Sequence, residues 1–161
     1  MILVTGGTGL LGTHVLFQLV NSGKSVRAIR RENSNLQMVE KLFNYYSPQG
    51  SALFNSIEWV TADITKTPSL EPIFEGIKEV YHCAAMVSFE KRHYNKMMKI
   101  NREGTANMIN FSLANEVEKF CHVSSTAAIG KSGVEKINSE KNNWVQGPET
   151  SGYAITKSSA E

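Results

Sequence analysis

The sequence predicts an α/β fold built on a doubly wound parallel sheet of strand order 3-2-1-4-5. Three observations carry that prediction. Short apolar runs alternate with stretches of helical periodicity, the pattern of a parallel sheet covered on both faces. A glycine-rich turn, TGGTGLLG at 5–12, joins the first apolar run to the first helical stretch. Right-handed crossovers then make 3-2-1-4-5 the economical layout.

Residues 1–5 (MILVT) form a short apolar run that stops at the glycines, as a buried strand entering a turn does. From 10 to 20, Leu11, Val15 and Leu19 recur at helical spacing with Leu16 and Val20 beside them, and Asn21-Ser22-Gly23 ends the helix. Residues 25–30 (SVRAIR) read as the second strand. After a polar loop, Leu36, Val39, Leu42, Phe43 and Tyr46 mark a second helix, which Ser47-Pro48-Gln49-Gly50 breaks.

Residues 57–62 (IEWVTA) are the third strand and 69–75 a short helix with Pro72 in its first turn. Residues 79–84 (EVYHCA) are the fourth strand. A long helix follows from about 93 to 114, its inner stripe formed by Tyr94, Met97, Met98, Asn101, Thr105, Met108 and Ile109. Residues 119–124 (KFCHVS) give the fifth strand, 130–147 a polar loop, and a last helix begins near Ser151.

The chain has 161 residues, 41% hydrophobic and 20% charged. That suits one domain able to bury about 70% of the surface its unfolded chain exposes, and it rules out wholesale disorder. With 17 Lys+Arg against 15 Asp+Glu, the net charge of +2 gives no case for a nucleic-acid or anionic-membrane partner. Cys83 and Cys121 cannot build a disulfide framework, which points to a reduced, cytoplasmic setting. No apolar run approaches the ~18 residues of a membrane span, and no secretory signal is visible. The last residues, SSAE, read as a helix in progress without cap or stop. The chain is therefore expected to end before its fold does, leaving the fifth strand at an exposed edge.

Doubly wound sheets bind ligands outside the carboxyl ends of their strands, where the strand order reverses. Here that point lies between the first and fourth strands. Candidate ligand residues therefore follow Thr5, Arg30, Ala62, Cys83 and Val123. Gly6, Gly9 and Gly12 sit three apart, between strand and helix, with Gly7, Thr8, Leu10 and Leu11 among them. Glycines there permit a tight turn, close approach of backbone to a pyrophosphate, and close packing of helix on strand. The helix start offers free N–H groups and a positive dipole end to phosphate.

The second strand ends in Arg30 and Arg31 where a carboxylate would accept a hydrogen bond from a ribose 2′-hydroxyl. A guanidinium binds a 2′-phosphate instead, so NADP is favoured, with NAD as second choice. Asp63 and Ile64 follow the third strand, placed to flank an adenine.

With these residues assembled, the sequence resembles the extended short-chain dehydrogenase/reductase (NAD(P)-dependent epimerase/dehydratase) family, over the N-terminal half of such an enzyme. The resemblance rests on TGGTGLLG, Asp63-Ile64, HCAA at 82–85, NREGT at 101–105, VSSTAAIG at 123–130 and YAITK at 153–157. It implies a Rossmann-like domain over 1–161 without the later strands and substrate domain.

Tyr153 and Lys157 are four apart and share a helix face. A phenol of ordinary pKa ~10 is a poor base at neutral pH, and a neighbouring ammonium stabilises the phenolate. The resemblance assigns Tyr153 proton transfer to or from the substrate oxygen as hydride moves. It gives Lys157 a second duty on the nicotinamide ribose and Ser125 the hydrogen bond to the substrate oxygen, with Thr126 in that place if the register slips by one and Ser124 a structural hydroxyl. Asn101 matches the family's helix asparagine, which either holds a water behind the lysine or bonds nearby backbone. Cys83, Ala84, Ala85 and Val123 belong to segments that pass close to the cofactor.

His82-Cys83 and Cys121-His122 lie on expected neighbouring strands, but successive strand residues face opposite ways. At most two of the four share a side, so no metal site is expected.

VRAIRR at 26–31 resembles the dihydroflavonol-reductase-like branch, implying an NADPH-dependent reductase of a small carbonyl compound. The alternatives are an NAD-dependent nucleotide-sugar epimerase or dehydratase, and a non-catalytic dinucleotide-binding module. A homodimer is a further implication of the resemblance. The isolated chain is expected to bind the adenosine and phosphate end of the cofactor with little or no turnover.

Overall fold

A computed structural model of the chain describes residues 1–130 and 138–161. The polar loop expected at 130–147 therefore lies partly outside the described residues. Five parallel strands form one sheet: β1 (Ile2–Thr5), β2 (Val26–Arg30), β3 (Glu58–Thr61), β4 (Glu79–His82) and β5 (Lys119–His122). Their order is β3-β2-β1-β4-β5, as the alternation of elements predicts. In register, Ile2 lies beside Val26 and Glu79, Thr5 beside His82, and His82 beside His122.

Alternation along the central strand divides the core. Ile2 and Val4 face α1 (Leu10–Asn21) and α2 (Leu36–Tyr46), packing with Leu16, Phe17, Val20, Val39 and Phe43. Leu3 faces the other way, with Ile64, Leu70, Phe74, Val80 and Met108. Each fully buried side chain of this size contributes roughly 1.5–3 kcal/mol, so both faces are held firmly. No helix among the described residues is long and apolar enough to cross a membrane.

Three stretches differ from the expectation. Ser47-Pro48 ends α2, but Gly50 then opens a second short helix, α3 (Gly50–Asn55), instead of a loop. The turn is set by Ser47, whose carbonyl accepts from Gly50 N and whose Oγ accepts from Gln49 N. The helix expected at 69–75 is two 3-10 turns, Thr67–Ser69 and Glu71–Ile73, each with a proline in its first positions. Proline lacks the N–H that a continuous α-helix would require there.

The long helix is present, but in three parts: α4 (Tyr94–Met97), a π-helical segment (Met98–Glu103) and α5 (Gly104–Ala114). A π turn takes more residues than an α turn. Met97, Asn101 and Thr105, spaced by four, therefore stay on one buried face, while Ile109 rotates outward and is exposed. The last helix, α6 (Gly152–Ser158), begins where Ser151 Oγ accepts from Ala154 N.

Candidate functional site

At the end of β1 the chain reverses through Gly6, which adopts φ +68°, a region that favours glycine. Gly9 N donates to Gly6 O at 2.9 Å, and Thr13 Oγ1 donates to the carbonyls of Gly7 (2.9 Å) and Gly9 (2.8 Å). Gly9 caps α1 without a side-chain hydrogen bond, so the first-turn amides stay available to an anion. The side chains of Leu10 and Leu11 stand in solvent, 82% and 50% exposed; what they bring to the turn is backbone N–H.

In front of this turn lies a cleft of about 700 Å³ at the carboxyl ends of the strands. It brings together Gly6, Thr8, Gly9, Arg31, Asp63, Ile64, Cys83, Ala84 and Ala85, all singled out from the sequence. Asp63 Oδ1 accepts from Thr65 N (2.9 Å) and Thr65 Oγ1 (2.8 Å). Burial pushes its carboxyl up, but these two bonds and the charges of Lys66 and Arg31 outweigh burial. The carboxyl settles below its ordinary value. Burial, with Cys121 nearby, pushes the Cys83 thiol up to about 11, so it is an inert wall residue rather than a nucleophile.

Other candidates stand outside the cleft lining. Gly7 and Gly12 are buried at the back of the turn. Arg30 has its Nε buried with no hydrogen-bond partner among the described residues, leaving Arg31 as the guanidinium on the cleft wall. Conversely, Ile29, Thr65, Lys66, Met86, Val87, Lys96, Lys99 and Ile100 line the cleft without having been singled out. The sequence signal for Lys96 and Lys99 was their i, i+3 spacing, which puts both on one helix face.

Lys157 is 2% exposed, and its Nζ donates to the Val123 carbonyl at 2.7 Å. This bond docks α6, the helix that also carries Tyr153, on the end of β5. Burial lowers the Lys157 pKa, with Glu161 acting against the shift. Ser124 Oγ donates to the Glu161 carboxylate. Ser125 caps the short turn Thr126–Ala128, its Oγ accepting from Ala127 N at 3.1 Å.

Asn101 bonds backbone: its Oδ1 accepts from Met86 N (2.7 Å) and its Nδ2 donates to Met86 O (2.9 Å). The same Nδ2 lies 2.9 Å from Thr156 Oγ1 on α6. One asparagine thus ties the cleft wall after β4 to the helix of Tyr153 and Lys157. Among the described residues, no three of His, Cys, Asp and Glu come together to hold a metal ion. His82 and His122 do stack, with ring centroids 5.5 Å apart.

A glycine cradle at an uncapped helix start, opening on a cleft at the point of strand reversal, fits a dinucleotide. The fold and site thus define a dinucleotide-binding doubly wound domain. Residues 2–161 match the model of the NAD dependent epimerase/dehydratase family, and the chain belongs to that family. It is similar to aldehyde reductase 2 of Sporidiobolus salmonicolor, 31% identical over 147 residues, covering 89% of this chain and 41% of the relative. It is also similar to a putative dihydroflavonol 4-reductase of Synechocystis, 28% identical over 130 residues, covering 81% and 34%. Among solved structures, the UDP-glucose 4-epimerase of Thermotoga maritima with UDP-glucose superposes with a TM-score of 0.75 at 25% identity. That superposition covers 99% of this chain and 48% of the epimerase. The chain spans less than half the length of these relatives, which include both reductases and a nucleotide-sugar epimerase.

Proposed function

We propose that this chain carries the cofactor-binding and proton-transfer residues of an NADP(H)-dependent oxidoreductase acting on a small carbonyl or alcohol. The observation that carries this reading is Arg31 on the cleft wall, at the end of β2 and close enough to Asp63 to influence its charge. The first-turn amides of α1 would take the pyrophosphate, Asp63 and Ile64 the adenine, and Arg31 the 2′-phosphate. The nicotinamide supplies or accepts the hydride when the cofactor is bound. Ser125 would orient the substrate oxygen, and Tyr153 would exchange its proton, assisted by the Lys157 ammonium.

Titration with NADPH and NADH tests the cofactor assignment. A charge-assisted hydrogen bond contributes about 1.5–3 kcal/mol. Arg31→Ala is therefore expected to weaken NADPH binding about 10- to 100-fold and to leave NADH within about twofold. Equal affinity of the unaltered chain for the two dinucleotides would overturn the reading. The likeness to a UDP-glucose 4-epimerase favours a second reading, an epimerase that keeps NAD bound through turnover, and NAD retained through purification would select it.

Tyr153→Phe tests the proton-transfer assignment. In a longer form of the protein that also carries a substrate-binding part and turns over a carbonyl panel with NADPH, the loss of this phenol should lower turnover by about 10²–10⁴. NADPH affinity should stay nearly unchanged. Activity retained in the variant would remove Tyr153 from the role.

A further inference from the structure

Behind the cleft, four hydrogen bonds run in one sense through buried space. The Ala84 amide donates to Thr5 Oγ1 at 3.1 Å, and Thr5 Oγ1 lies 2.7 Å from His82 Nδ1. On the far side of the ring, His82 Nε2 lies 2.9 Å from Thr105 Oγ1, which donates to the Asn101 carbonyl at 2.6 Å. Thr5 is fully buried, and His82 and Thr105 are each 1% exposed. Water therefore cannot replace these bonds at low cost.

The partners fix the tautomer. A hydroxyl has one proton, and a 2.6 Å contact between two oxygens requires that Thr105 give its proton to Asn101. Thr105 must then accept from His82, so the imidazole proton sits on Nε2. Nδ1 is the acceptor and takes the proton of Thr5. Every group in the chain is satisfied, and none can be reversed alone.

The two ends of this chain are what give it meaning. Thr5 immediately precedes Gly6 of the phosphate turn. Asn101 holds Met86 on the cleft wall and reaches Thr156, whose Oγ1 donates to the Tyr153 carbonyl at 2.8 Å. We propose that His82 is a positioning residue: a single-tautomer imidazole that fixes the phosphate turn against the helix bearing Tyr153 and Lys157. The functional meaning of that spacing rests on the dinucleotide and proton-transfer reading above. The coupling itself is a property of this chain alone.

Thr105→Val tests it, because valine keeps the shape and β-branching while removing the hydroxyl. Thr105→Ser keeps the hydroxyl. Hydrogen exchange of the unliganded protein should show the α6 amides exchanging about fivefold or more faster in Thr105→Val. Those amides should exchange at the unaltered rate in Thr105→Ser, with β2 and β3 unchanged in both. Either no change at α6 or a uniform rise across the sheet would overturn the proposal. Nitrogen NMR of the His82 ring gives a second reading, independent of any variant. A slowly exchanging Nε2–H is expected, and a proton on Nδ1 would overturn the chain's sense.

Addition of NADPH separates this proposal from the functional one. Protection of α6 on binding is expected in the unaltered and Ser forms and should be lost in Thr105→Val. Failure of NADPH to bind the unaltered protein would overturn the cofactor reading, while the unliganded exchange pattern still decides the role of His82.

Discussion

Gly12→Ala is expected to abolish dinucleotide binding and to destabilise the fold by about 3 kcal/mol or more. A Cβ built on Gly12 would lie 2.1 Å from Gly6 O, 2.6 Å from Gly6 C and 3.0 Å from Gly7 Cα. All three are backbone atoms, so no side-chain rotation relieves the clash. The other side of the turn is closely packed too, since a Cβ built on Gly6 would lie 2.7 Å from Ala84 N and from Cys83 C, on the segment leaving β4. The start of α1 must therefore move, and with it the Thr13 bonds to Gly7 and Gly9 that close the turn. Those are the elements that aim the first-turn amides at a pyrophosphate. Gly9→Ala is the comparison, its nearest contact being Gly6 O at 3.3 Å, a strain that a small shift absorbs. Thermal unfolding and NADPH titration of the two variants give the measurement. Gly12→Ala binding within tenfold of the unaltered chain would show that the turn tolerates a side chain and that the cradle argument is wrong.

Gly12 also shows why the fold was legible. Its need for zero side chain comes from a contact with a residue six positions earlier, within one local unit, so the spacing of three glycines records it. The strands and α1 were readable for a similar reason: their apolar periods are local, and burial on two faces leaves few layouts. What escaped depended on events between distant residues. Asn101 engages Met86 through its side chain within a π-helical segment. That shift in period sends Ile109 outward, and no repeat in the sequence announces it. Gly50 is the local exception: its place after Ser47-Pro48 reads as the end of a helix, yet it starts another, because Ser47 makes the turn just ahead of it.

The site follows the same division. Arg31, Asp63 and Ala84 meet in one cleft because each follows a strand of the same sheet, a placement that topology alone predicts. Lys96, Lys99 and Ile100 join them from a helix whose rotation is set by the π-helical segment, and that rotation is a tertiary quantity. The motifs around Thr5, His82 and Thr105 were each visible in sequence. Their union into one hydrogen-bond chain was not, since the partners lie 77 and 23 residues apart. Strand alternation argues against His82 as a metal ligand, and in the structure both of its nitrogens are committed to threonines.

That commitment makes acid the condition under which the fold should fail. Burial, reinforced by His122 and Lys157, pushes the His82 pKa from its ordinary 6.5 down to about 3. Between those values the unfolded chain binds a proton that the folded ring refuses, so stability falls as pH falls. The stabilisation is complete above about pH 6.5 and is lost progressively toward pH 3, at a limiting slope of about 1.4 kcal/mol per pH unit. Burial also lowers His122, partly opposed by Glu161, and adds a second contribution of the same sign. Two pH units below 6.5, His82 alone accounts for about 3 kcal/mol, a large part of the 5–15 kcal/mol that holds a typical domain. The structural reason is the hydrogen-bond chain: a proton on Nδ1 meets Thr5 Oγ1, whose own proton then has no acceptor. Urea unfolding at pH 5, 6, 7 and 8 should show midpoints level from 8 to 7 and falling below 6.5. His82→Gln should start from a lower stability at pH 7 and show a shallower acid slope, the remainder belonging to His122. A stability that stays flat from pH 7 to pH 5 would mean that His82 can be protonated in place, and the fixed-tautomer chain would have to be abandoned.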